Sequence, residues 1–192
     1  MMRAAVTVMG EDGYEGASMR DIAARAGVSV AALYYHFPSK QDLLREFLDE
    51  AYDVILARLD RRLAAADPEP AARLDEAVGT LIASHLHDGF ARLAANVAFR
   101  EHTRLNSPER KSIDAKRRRL LEVVERVIAD GVAEGTFTVV ETREAAHAIV
   151  TLCTSLVDSF DAARRPMADL IKLYQQFARA IAGAVTSSPT AR

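Results

Sequence analysis

The run SMRDIAARAGVSVAALYYHFPSK, residues 18–40, constrains this chain more than any other stretch. It carries helix-start signals at Ser18, Ser29 and Ser39, too closely spaced for anything but short helices joined by tight turns. Ser18 followed by Asp21 forms a capping box, so a helix begins near Met19. Ile22, Ala23 and Ala26 give that helix one apolar side. Gly27 falls where a left-handed C-cap is wanted, and Ser29 is a good N-cap for the next helix. In that second helix Leu33 and Phe37 are four apart and face inward together. Ala31, Ala32 and Tyr35 lie on the opposite side, with Tyr34 and His36 on its flanks. Pro38 stops the helix, and Ser39 with Asp42 opens a third beside Lys40.

Two short helices at a tight turn form a helix-turn-helix, whose second member can lie in the major groove of DNA. Small residues in the middle of its outer face allow close approach to base edges. The flanking phenols, the imidazole and the ammonium suit phosphates. The free N–H groups at the start of the third helix favour an anion as well. Residues 14–44 resemble the DNA-binding domain of the TetR family of one-component bacterial regulators. The resemblance rests on GYEGASMRDIAARAGVS, LYYHFPSK and the following pair Leu43 and Leu44. It implies that Val30 and Ala31 approach bases, and that Ser18, Tyr34, Tyr35, His36 and Lys40 hold phosphates. Ser29, which caps the reading helix, is grouped with them as DNA-binding. It further implies an all-α fold with a three-helix DNA-binding domain (1–47) and a helical effector-binding and dimerisation domain (48–186); the residue pattern gives nine helices in total, and the low-complexity tail (187–192) is expected to be disordered.

The start departs from the family pattern. Residues 3–10 are the segment available for a first helix, with Ala5, Val6, Val8 and Met9 as its core face, and no basic arm precedes them. Through Leu48 five basic residues stand against six acidic ones. Each missing phosphate contact weakens affinity and flattens its salt dependence. This balance keeps open a second reading, a ligand- or partner-binding protein of the same fold with weak or lost DNA binding.

The remaining sequence reads as helix, without convincing period-two alternation. Expected spans are 39–66, 70–88, 93–105, a long helix capped by Ser107 with Pro108 at its first position, and one capped by Thr142. Gly89 is read as an interruption. The last two helices are apolar nearly all round, through Ile149, Val150, Leu152, Cys153, Leu156 and Val157, then Leu170, Ile171, Leu173, Tyr174, Phe177 and Ile181. Such helices need a partner beyond their own core, so they predict a homodimer built on a four-helix interface. Two reading helices would then meet successive major grooves of a palindromic operator, about 34–36 Å apart.

A length of 192 residues with 49% hydrophobic content supports a real core, and a net charge of −2 excludes a global polyanion binder. No apolar run spans a bilayer, no secretory signal pattern is present, and the single Cys153 excludes an internal disulfide. A cytoplasmic protein is expected. No phosphate loop, nucleophile motif or carboxylate pair points to an enzyme, and no cofactor is implied. His85, His87, Asp88, Glu101 and His102 cluster in sequence without metal-ligand spacing. Cys153 lies in an apolar run and reads as inert.

An effector pocket follows from the resemblance and not from a motif. Its candidate lining is Leu81, Phe90, Val97, Phe99, Leu121, Val124 and Phe160, each also compatible with plain core. The basic run 116–119 reads as the solvated side of the long helix. With Arg100 and Arg104 it would alternatively grip an acidic effector, a fatty acid or an acyl-coenzyme A, to which the loose likeness of 97–137 to regulators of fatty-acid and sterol breakdown also points. The overall expectation is a ligand-responsive transcriptional repressor.

Overall fold

The structure is a computed structural model describing the backbone of residues 1–161 and 163–184, and side chains there except at 107–109, 158 and 159. Among the described residues it contains nine α-helices and no strand: α1 (Met2–Gly16), α2 (Met19–Ala26), α3 (Val30–His36), α4 (Lys40–Ala65), α5 (Pro70–Leu86), α6 (Gly89–Glu101), α7 (Ser107–Ala133), α8 (Thr142–Ser159) and α9 (Met167–Ile181). A 3₁₀ turn, His102–Arg104, follows α6. The all-α class and the helix count match the expectation. The expected tail, 187–192, and the side chains expected to open α7 lie outside the described residues.

The end of α1 and the start of α6 differ from the sequence reading, each for a local reason. The first helix extends to Gly16, because Gly13 absorbs a left-handed kink (φ 73°) and the chain resumes helical form beyond it. That kink lets Tyr14 turn back into the core. The break expected at Gly89 falls at His87 and Asp88, and Gly89 itself opens the next helix. The Asp88 carboxylate accepts the Ala91 N–H at 2.7 Å and so caps α6 from Gly89 onward.

The chain divides into two compact units. The first comprises Met1–Leu56, Ser84–Arg118 and Val157–Ser159. Its core gathers Val6, Met9, Ile22, Leu33, Leu43, Leu44 and Leu48 with Val97, Leu105 and Ile113, so the N-terminal helices share one apolar interior with α6 and the start of α7. The α1–α6 approach is close. A Cβ at Gly10 would lie 2.2 Å from Leu93 Cδ1. Arg3 stacks its guanidinium 4.0 Å from the Phe90 ring centroid. Lys116 reaches from α7 to α4, with its ammonium 2.7 Å from both Asp49 Oδ1 and Asp53 Oδ2. Burial works against that charge, but hydrogen bonds to the two carboxylates outweigh it and hold the Lys116 pKa above its ordinary value.

The second unit comprises Ala57–Ala83, Arg119–Leu156 and Phe160–Arg192. Leu59, Leu74, Val78, Leu81, Ile82, Val124, Ile128, Ile149 and Cys153 fill its core. Phe137 folds over Gly131 of α7, where a Cβ would lie 2.2 Å from the ring. Beyond the turn, Thr138 N and Val139 N each donate to Ala182 O at 3.2 Å, and Thr138 Oγ1 donates to Gly183 O at 3.0 Å. This clasp ties the segment after α7 to the end of α9. Arg179 forms a two-pronged pair with Asp75, at 2.9 and 2.6 Å. Burial pushes the Cys153 thiol up to about 12, which removes it as a nucleophile at neutral pH. On α9, Phe177 remains 42% exposed beside Tyr174, their ring centroids 5.5 Å apart.

Candidate nucleic-acid interface

The site is assembled by caps. Asp21 N donates to Ser18 Oγ at 3.1 Å, and the Ser18 hydroxyl donates to the Asp21 carboxylate, so α2 starts with its first turn satisfied. Gly27 closes α2 at φ 67°, and Val28 N donates to Ala23 O at 3.0 Å. Ala32 N then donates to Ser29 Oγ at 3.0 Å and opens α3. Leu33 is fully buried, and Phe37 is buried after it. This pins one face of α3 and leaves the other outward. Val30 is 39% exposed, Tyr34 48% and Tyr35 85%. Ala31 and His36 are exposed with them, and the Tyr35 and His36 rings stand edge to face at 5.4 Å. Burial of apolar side chains normally stabilises by about 1.5–3 kcal/mol each, so a helix presenting two phenols and a valine to solvent has forgone that gain.

The six residues just named, Ser29 included, therefore share one accessible surface. Ser18 lies at the head of α2, also exposed. Lys40 is placed otherwise. Its ammonium donates to Tyr14 O at 2.6 Å and Ala17 O at 2.9 Å, with Glu15 O at 3.5 Å, and lies 4.3 Å from the Tyr14 ring centroid. It thus caps the carbonyl end of α1. Ser39 Oγ donates to Asp42 Oδ2 at 2.6 Å and accepts from Asp42 N at 3.1 Å, the second predicted box.

Sequence reasoning missed Gln41, whose partners are distant along the chain. Its Nε2 donates to Tyr14 Oη at 2.8 Å and to Arg104 O at 2.9 Å, while its Oε1 accepts Asn106 N at 3.2 Å. One amide thus joins the ends of α1 and α4 to the turn after α6. It also missed Arg20, which is exposed in the first turn of α2 and has no partner among the described residues. Arg25, by contrast, is paired with Glu11.

The effector-lining candidates are distributed over both units. Phe90, Val97, Phe99, Arg100 and Arg104 fall in the first, and Leu81, Leu121, Val124 and Phe160 in the second. Leu81, Val97 and Val124 are buried, whereas Phe99 is 49% exposed. Arg104 lies 3.3 Å from Glu15 Oε1 and 3.6 Å from Glu101 Oε2. Within the basic run, Lys116 is held by Asp49 and Asp53, and Arg117 sits near Asp114, while Arg118 and Arg119 are exposed. Among the described residues no group of His, Cys, Asp and Glu could hold a metal ion, and no helix is long and apolar enough to cross a membrane.

A capped helix pair displaying α3 from a helical body defines a helix-turn-helix protein. The family described as "Bacterial regulatory proteins, tetR family" matches residues 1–47, and "Tetracyclin repressor-like, C-terminal domain" matches residues 67–163. The chain belongs to the TetR family. It is 40% identical over 81 residues to the HTH-type transcriptional repressor KstR of Mycolicibacterium smegmatis, covering 42% of this chain and 39% of that protein. The chain thus matches about two fifths of the length of the first curated relatives. A tetR-family regulatory protein from Rhodococcus RHA1 superposes with a TM-score of 0.87 at 26% identity, covering 96% of both chains. AibR, solved in complex with isovaleryl coenzyme A and operator DNA, shares the fold with a TM-score of 0.83 at 20% identity, covering 96% of this chain and 97% of its own.

Proposed function

We propose that this chain is a DNA-binding transcriptional repressor released from its operator by a small hydrophobic effector. The observation that carries this reading is the outward face of α3, held by satisfied caps and exposing Val30, Ala31, Tyr34 and Tyr35. Residues 1–47 read DNA and residues 48–186 bind effector and a second copy. Val30 and Ala31 face bases, and Ser18, Ser29, Tyr34, Tyr35 and His36 serve the phosphate backbone, joined by Arg20. Lys40 supports the interface from behind by fixing α4 against α1.

A second copy docks on α8 and α9, where Phe177 is exposed and Tyr174, Leu173 and Leu152 are half-buried. That arrangement presents two α3 helices to a palindromic operator. The effector is an acyl-coenzyme A, the ligand class held by AibR. It acts by binding more tightly to the DNA-incompetent state, and moving the population from 1:99 to 99:1 needs about 5.5 kcal/mol of differential affinity. The work is done in the cytoplasm, where chromosomal DNA and acyl thioesters both occur.

The acidic head supports a second reading, a ligand-binding protein of this fold that has lost operator affinity. One experiment separates them. Fluorescence anisotropy of the chain against duplex from its own upstream region, across a salt series, should give specific binding that isovaleryl-coenzyme A or a longer thioester relieves. Binding no tighter than to random duplex at every salt concentration rejects the repressor.

A further inference from the structure

His85 occupies the last turn of α5, on the stripe that carries Leu81 and Ile82 one turn earlier. It is 7% exposed and, among the described residues, one of two buried polar side chains in an otherwise apolar core. The other, Thr80, has its hydroxyl 3.4 Å from Glu76 Oε1. His85 Nδ1 is buried with no hydrogen-bond partner among the described residues. Buried polar atoms in folded proteins are nearly always paired, and an orphan costs the full desolvation of its group. An aliphatic side chain at this position would remove that cost, so the imidazole is retained against stability.

Burial drives its pKa down to about 4, so at neutral pH the ring is uncharged. A neutral imidazole offers one N–H donor and one acceptor nitrogen. It suits an uncharged polar group in an apolar wall. A carboxylate would instead call for a cation, which this environment disfavours.

We infer that His85 Nδ1 is the polar contact for the effector, and that the group it recognises is the uncharged carbonyl of an acyl thioester rather than the carboxylate of a free acid. The assignment rests on the ligand-responsive reading above. It adds the recognition atom and a discrimination between two related ligands that no motif in the chain supplies. In that contact Nδ1–H donates to the carbonyl oxygen.

The test uses the full chain, with butyryl-, isovaleryl-, octanoyl- and stearoyl-coenzyme A and the matching free acids as probes. Thermal shift and isothermal titration are run on wild type, His85→Phe and His85→Asn. Phe keeps the ring volume without its nitrogens, and Asn keeps a donor and acceptor near the Nδ1 position. In the absence of probe, His85→Phe melts higher than wild type. Its affinity for the tightest thioester falls at least tenfold, and His85→Asn recovers part of the loss. Free acids bind wild type at least tenfold more weakly than their thioesters.

A His85→Phe protein that binds thioester like wild type overturns the assignment and leaves His85 as a structural orphan. Equal affinity for acid and thioester overturns the carbonyl preference. A direct readout covers the case of a variant that does not fold. The ¹⁵N shift of Nδ1 in labelled wild type must move on saturation with thioester, and an unmoved resonance rejects the contact. If wild type binds none of the probes, the acyl-coenzyme A reading fails and this assignment with it, whereas retained operator binding in anisotropy leaves the DNA-binding reading intact.

Discussion

Replacing Lys40 with Met tests which of two jobs its charge performs. The ammonium donates to Tyr14 O at 2.6 Å and Ala17 O at 2.9 Å and sits 4.3 Å from the Tyr14 ring. Hydrogen bonds from a charged donor contribute about 1.5–3 kcal/mol each in favourable settings. The residue is partly exposed, and water can replace the ammonium at those carbonyls, so a total loss of about 2 kcal/mol is expected. For a chain of this size, 1 kcal/mol shifts the melting temperature by about 2–4 °C, so K40M should melt about 4–8 °C lower. Operator affinity should fall as well, because α4 loses its tether to α1. The slope of log affinity against log salt should stay where it was, because no phosphate neutralisation is removed. A phosphate-binding lysine would behave in the opposite way, with an unchanged melting temperature and a slope shallower by about 0.9 for each subunit. Calorimetry with anisotropy at four or more salt concentrations separates the two, and the second pattern refutes the anchoring role.

Tyr35→Ala, at a position 85% exposed, should leave the melting temperature nearly unchanged while weakening binding to specific and random duplex alike. Val30→Ala should instead change base preference by roughly 1–3 kcal/mol at one position, read by competition with single-base operator variants. Gly10→Ala drives a Cβ against Leu93, 2.2 Å from Cδ1 and 2.7 Å from Cγ, and should destabilise by about 1–2 kcal/mol after the helix-propensity gain of Ala is counted; adding Leu93→Ala should relieve most of that clash in a double-mutant cycle by urea denaturation. His85 titrates near 6.5 unfolded and about 4 folded, so between those values the unfolded chain binds more protons. Stability from this site is intact above pH 6.5 and declines by roughly 3 kcal/mol as pH falls to about 4; unfolding curves at stepped pH should show this slope in wild type and lose it in His85→Phe.

Much of the head was legible because its determinants are local. Ser18, Ser29 and Ser39 each cap within three residues, Gly27 takes the left-handed position, and Leu33 with Phe37 sets which way α3 faces. The extent of α1 beyond residue 10 was not legible, since nothing local shows that Gly13 takes a kink from which Tyr14 packs back into the core. The break beside Gly89 was legible but its position was not, because the preceding Asp88 caps α6 and makes Gly89 its first residue. Long-range polar roles were out of reach for a different reason. Lys40 bonds carbonyls 23 and 26 residues away, and Gln41 reaches Arg104 O, 63 residues on, so neither role leaves a mark in spacing.

The shortage of positive charge on the head also has a tertiary side. Arg25 is paired with Glu11, Lys40 is turned onto α1, and Arg3 is stacked on Phe90. Arg104 and Lys116 are engaged by Glu15 and by Asp49 and Asp53. Three of these five cations are thus committed to carboxylates and the other two to backbone carbonyls or an aromatic ring, while Arg20 stays exposed without a partner among the described residues. A shallow salt dependence is the expected outcome.

The clasp between residues 138–139 and 182–183 sets a practical limit on how this chain can be cut. Trimming to the last helical residue, Ile181, deletes the acceptors for Thr138 and Val139, and would unbutton the loop that seats Phe137 over Gly131. Shortened versions made for crystal growth, and sensors fused at the carboxyl end, should therefore retain the sequence through Ala184, so that the new junction begins past the last of these stitches.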